Sequence, residues 1–169
     1  MASKQRELAL ECKRQYENCL YTSTSLFIWL RYLRVIEIVF LVVPLLMGFL
    51  AGWELLTSAH EEWVKILASI CAFFAGLLPV IYSALKFDDR LERCRMLAGE
   101  FKNLQDRFRQ AALISAHKSF EAFEADFQPI IARLEVARSY SYTAPEWCFK
   151  RAQKKVMSGD YTFDVDVEP

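Results

Sequence analysis

Glycine and proline are scarce, at five of each in 169 residues. Hairpin-rich sheets draw on both for their turns, so an all-β fold is disfavoured and long helices are favoured. Histidine is scarcer still. His60 and His117 are the only two, and they fall on either side of a long uncharged stretch, which leaves little room for a shared acid–base site. An excess of charge is also missing: 21 Lys and Arg balance 21 Asp and Glu, for a formal net charge of +0. Bulk attraction to nucleic acid is therefore not expected. The five cysteines, Cys12, Cys19, Cys71, Cys94 and Cys148, never form a CxxC pair, which argues against a zinc centre and a disulfide framework. Cys12 and Cys19, seven residues apart, are read as small core residues in a reducing compartment. No phosphate loop, GxSxG elbow or dinucleotide fingerprint occurs. The chain reads as a non-enzyme without cofactor or metal.

What the chain has in abundance is hydrophobic residues, 54% of the total, with 14% aromatic. The mean hydropathy of only +0.11 averages over unlike segments. Residues 38–53, IVFLVVPLLMGFLAGW, carry no charge, and the run extends back to Val35 if Glu37 is tolerated; residues 66–85 are uncharged throughout. Each run is about 20 residues, enough at helical rise to cross a hydrocarbon core of about 30 Å. Buried helices of a soluble bundle carry a polar stripe, and neither run has one. The basic residues set the orientation. Residues 54–65 hold Glu54, Glu61 and Glu62 against Lys65 alone, whereas 20 of the 21 Lys and Arg lie beyond the other ends of the runs. The positive-inside bias then places both termini in the cytoplasm. The first thirty residues are charged and amphipathic, unlike a cleavable signal.

These observations predict an all-α membrane protein: a two-transmembrane helical hairpin with a cytoplasmic N-terminal helix and long C-terminal helices forming a bundle or coiled coil. The expected segments are a cytoplasmic amphipathic helix (1–34), a first span (35–56), a short outer loop (57–65) and a second span (66–86). A cytoplasmic helical region continuous with the second span follows (87–144), then a basic and finally acidic, weakly ordered tail (145–169). Within the helical region, Leu97, Phe101, Leu104, Phe108 and Ala111 recur at spacings of four and three and form one apolar seam. Phe120, Phe123, Phe127, Ile130, Leu134 and Ala137 form a second, with a weak point at 115–119 and Pro129 as a kink or helix start. Cys12, Tyr16, Cys19, Ser23, Leu26 and Leu30 supply a matching N-terminal face.

Candidate functional positions lie mainly in the spans. Gly48 and Gly52 form a GxxxG pair, and Ala68, Ala72 and Gly76 share a face with Cys71 and Ala75 beside it; such small residues let helices approach closely, within one hairpin or between subunits. Pro44 and Pro79 each remove a backbone donor mid-span, as static kinks or gating elements. Glu37 is the acid nearest the bilayer core and follows Arg34 by three residues, as an interfacial ion pair or a functional group. Arg90, Arg93 and Arg95 either orient the span or receive an anionic ligand or headgroup. Lys150, Arg151, Lys154 and Lys155 precede Asp164, Asp166 and Glu168, which read as a solvated tail.

The order of these elements over residues 8–140, with Phe87, Asp89, Arg90, Ala98, Phe101 and Leu104 after the second span, resembles the SLATT domain, a two-transmembrane effector of bacterial nucleotide-signalling defence systems. Family members often show a His and a Tyr where this chain has Cys94 and Phe101. The resemblance implies a homo-oligomer in the bacterial inner membrane that forms pores or disrupts the bilayer when a cytoplasmic sensor or nucleotide-signalling partner fires, arresting an infected cell. A membrane-anchored coiled-coil scaffold that recruits a cytoplasmic protein is the alternative.

Overall fold

The computed structural model describes residues 2–57, 62–140 and 142–160. Residues 58–61 of the expected outer loop, with His60 and Glu61, and residues 161–169, with Asp164, Asp166 and Glu168, lie outside the described residues. Every described element is a helix: α1 (Ala2–Thr57), α2 (Glu62–Ala84), α3 (Phe87–Leu113), α4 (Phe120–Ser139) and α5 (Glu146–Met157), with one 3₁₀ turn at Ser115–His117. No strand occurs among the described residues. Two compact units divide the chain: residues up to Leu30 together with those from Arg93 onward, and residues 31–92.

The first unit is a helical core built from the predicted seams. Leu97, Phe101, Leu104, Phe108 and Ala111 of α3 are all buried, as are Phe123, Phe127, Ile130, Leu134 and Ala137 of α4 and Cys12, Cys19, Leu26 and Leu30 of α1. The rings of Phe108 and Phe127 meet across the two seams, 6.2 Å between centroids. At the rim, the Arg133 guanidinium donates to both oxygens of Glu100, at 2.7 and 2.8 Å, and Arg138 donates to Gln15 at 2.8 Å. Gln5 closes the far end, donating to the carbonyls of Ala116 and Lys118, both at 2.7 Å. The weak point at 115–119 does break the helix, because Ser119 takes an extended conformation and its hydroxyl accepts from the Ala122 N–H at 3.4 Å, capping α4. Pro129 neither ends nor starts a helix; it lies inside α4.

Two expectations are corrected. The second span does not continue unbroken into the next helix: α2 ends at Ala84 and α3 begins at Phe87. The Lys86 N–H bonds back only three residues, to the Ser83 carbonyl at 3.1 Å, and Lys86 takes φ 47°, the left-handed region disfavoured for side chains with a Cβ. Asp88 and Asp89 then sit in the first turn of α3, where carboxylates suit the positive end of a helix. The helix that runs without such a turn is α1, which extends from the N-terminal face through the first apolar run. The second correction concerns residues 146–157, where α5 takes the place of the basic part of the expected tail. Its Cys148 and Ala152 are fully buried, Phe149 packs on Tyr21 with centroids 6.1 Å apart, and Trp147 meets Trp29 edge-on at 6.0 Å. Lys150, Arg151, Lys154 and Lys155 are the exposed face of this amphipathic helix.

Candidate functional site

Residues 31–92 form the candidate site. The second half of α1 and the whole of α2 lie side by side in opposite directions, with Phe40 against Tyr82 at 6.0 Å between centroids and Gly48 against Ala75, whose Cβ lies 3.9 Å from where a Gly48 Cβ would stand. Both helices are long and apolar enough to cross a membrane. Their large side chains point away from the unit: Leu45 is 68% exposed, Phe49 66% and Val80 64%, and Cys71 is the one buried residue of α2 among those described. A core helix of a water-soluble fold buries such residues.

Gly48 is exposed, and a Cβ on it would meet the Ala75 Cβ at 3.9 Å, an ordinary contact, while Cys71 is buried. Ala72 and Gly76 are exposed, and a Cβ on Gly52 or Gly76 would meet nothing within 4 Å. Ala68 is half-buried. Of the GxxxG pair, Gly48 is exposed and Gly52 half-buried, with room around both for a Cβ.

At the end of the pair nearer Lys86, three rings cluster. Phe40, Tyr82 and Phe87 stand 5.4 to 6.5 Å apart between centroids. The Tyr82 hydroxyl donates to Asp88 Oδ1. Below them runs a groove of about 500 Å³ that brings Glu37, Tyr82 and Asp88 together with Pro44, Ala75 and Pro79. The sequence pattern singled out Glu37 and both prolines but gave no reason to place them together, and it left Tyr82 and Asp88 unmarked as their neighbours. Arg34 does not form the expected ion pair with Glu37 among the described residues. Arg34 is exposed, whereas Glu37 is half-buried along the groove, so helix spacing alone did not bring the two heads together.

The arginines after the second span also separate. Arg90 and Arg95 are exposed. Arg93, in the other unit, lines a cleft of about 860 Å³ with the Arg133–Glu100 pair, Met96, Val136 and Tyr140. Position 94, where the SLATT resemblance leads to a His, holds a thiol with no exposure. Cys94 Sγ lies 3.6 Å from the Leu26 carbonyl, to which it donates. The neighbouring Trp29 indole donates to the Tyr142 hydroxyl at 2.8 Å. Burial pushes the thiols of Cys12, Cys19 and Cys94 up to about 11 and raises that of Cys148. Thiols held protonated in this way are poor nucleophiles and poor metal ligands at neutral pH, consistent with packing as their role. No group of three or more His, Cys, Asp or Glu gathers into a metal site among the described residues. No family model, curated protein or solved structure matches the chain.

Proposed function

We propose that this chain is an oligomeric two-span membrane effector that permeabilises or disrupts the bacterial inner membrane when triggered through its cytoplasmic helices. The observation that carries the reading is the outward aim of the apolar side chains on both helices of residues 31–92, with Leu45, Phe49 and Val80 each about two-thirds exposed. Surface of that kind is stable in lipid or against other subunits and is costly in water. The open small-residue positions Gly52, Ala72 and Gly76 are where a second copy approaches closely. The basic flanks put both termini in the cytoplasm, and the SLATT resemblance supplies the defence context and a cytoplasmic sensor or nucleotide-signalling protein as trigger.

Transmission of the trigger runs through α1. A change in the packing of residues 2–30 against α3, α4 and α5 alters the first span, because both belong to one helix. The turn at Lys86 makes the α2–α3 join the weaker route.

Induced expression in cells, followed by a membrane-impermeant nucleic-acid dye and a potential-sensitive dye, tests the function. Dye entry and depolarisation are expected from the triggered protein. A membrane-anchored scaffold leaves both signals unchanged. A Gly-Gly pair inserted after Arg31 should abolish the response, and the same pair inserted after Lys86 should retain most of it; the reverse pattern would return transmission to the second span.

A further inference from the structure

The helical core of the first unit buries its seams, yet three large side chains stay open together at one place on its surface. Met96 is 61% exposed, Val136 59% and Tyr140 61%, and all three line the cleft of about 860 Å³ between α3 and α4. That volume is in the range of small-molecule sites.

The two helices build the cleft from matching stripes. α3 supplies Arg93, Met96, Leu97 and Glu100, at i, i+3, i+4 and i+7 along one helix face. From α4 come Arg133, Val136, Ala137 and Tyr140, at the same spacing. The helices run antiparallel, since Glu100 pairs with Arg133 at 2.7 Å while the later Phe108 meets the earlier Phe127. That register puts Leu97 level with Val136, and Arg93 level with Tyr140. The cleft is therefore a straight slot running about 10 Å along α3. Leu97 and Ala137 are buried as its floor, and the exposed Met96 and Val136 form apolar rims.

The two ends of the slot differ. At one, the Arg133 guanidinium is held by both oxygens of Glu100, which closes and neutralises that end. At the other, neither Arg93 nor the Tyr140 hydroxyl has a hydrogen-bond or ion-pair partner among the described residues. A guanidinium and a phenol both donate, so this end offers positive charge and two open donors. An oxyanion there gains charge-assisted hydrogen bonds, and the apolar slot leading away from it removes a hydrocarbon body from water.

We propose that the α3–α4 cleft binds a single-chain organic anion. Its carboxylate or phosphate head accepts from Arg93 and Tyr140, and its acyl body lies along the floor towards the closed Arg133–Glu100 end. Aliphatic walls that include a flexible methionine suit such a chain. The site stands apart from the membrane-effector reading, because every lining residue belongs to the first unit.

The test is a binding measurement on the full chain in dodecyl maltoside micelles. Thermal midpoints are recorded with octanoate and octyl phosphate, and with acetate, inorganic phosphate and octanol at equal concentration; titration calorimetry follows with the probes that respond. Octanoate, octyl phosphate or both should raise the midpoint, and the head alone or the chain alone should not; the two octyl probes separate a carboxylate from a phosphate source. Arg93→Gln should weaken binding about tenfold, the usual cost of losing a hydrogen bond to a charged group. Val136→Trp fills the slot while leaving Arg93 in place and should abolish binding. Both positions are exposed, so melting without a probe should be unchanged in either variant. Equal midpoints with all five probes, or binding that either substitution leaves unchanged, as partition into the micelle would, overturns the site. Leakage plays no part in these readings, so the site and the effector proposal fail or stand separately.

Discussion

Helices of one chain use their apolar residues in opposite ways in its two units. In the unit formed by the segments up to Leu30 and from Arg93 onward, seam residues such as Leu104, Phe108, Phe123 and Leu134 have no exposure at all. Along residues 31–92, Leu45, Phe49, Ile66, Phe73 and Val80 are each more than 60% exposed. The backbone is helical in both, so the difference lies in the medium each set of side chains needs. A helix with polar residues on its other faces satisfies water there and buries its seam against neighbours. A helix that is apolar all round has nothing to offer water on any face.

The largest effects should separate these two behaviours. Phe108→Ala leaves a cavity in a filled core and should destabilise the first unit by about 3–5 kcal/mol, whereas Phe49→Ala should leave the melting of purified protein in detergent nearly unchanged; equal losses at both positions would erase the contrast. Next, Leu45→Arg places a charge midway along the first apolar run and should cost insertion about 2.5–3.5 kcal/mol, seen as loss of the protein from the membrane fraction. An unchanged membrane fraction would argue that this face does not meet lipid.

A pH titration sharpens the comparison from the other side. The thiols of Cys12, Cys19 and Cys94 are raised by burial from near 9 to about 11, so in the folded state they hold protons that the unfolded chain releases. Stability of the first unit should therefore be steady through neutral pH and fall as pH rises from about 9 towards 11, and replacing all three with Ala should flatten that fall. The smallest effect belongs to the turn between α2 and α3. Lys86→Gly relieves a left-handed backbone and should stabilise by about 1 kcal/mol, with Lys86→Val costing at least as much; matched melting curves of the two variants decide it.

Periodicity makes the seams legible in the sequence itself, since a spacing of four and three reports which side chains share a face. It is silent on residues brought together from distant parts of the chain. Tyr82 and Asp88 gather with Glu37 only because two antiparallel helices align Phe40 with Tyr82, a register no local pattern encodes. The break at Lys86 does leave a trace: Asp88 and Asp89 are acids suited to a first helical turn, outweighed by the lack of Gly, Pro or Asn at the join. The helix α5 is hidden by its composition. Its buried positions, Cys148 and Ala152, are small, so four basic residues dominate the character of that stretch.

Everything proposed for function depends on the two apolar helices crossing a bilayer with both ends of the chain inside. The direct measurement is labelling of single engineered cysteines, His60→Cys and Lys150→Cys, on a background with the five native cysteines replaced by Ala, using a membrane-impermeant maleimide on intact spheroplasts. Position 60 should label at once and position 150 only after lysis. Labelling of position 150 in intact spheroplasts, or recovery of the protein in the soluble fraction without detergent, would contradict the two-span arrangement.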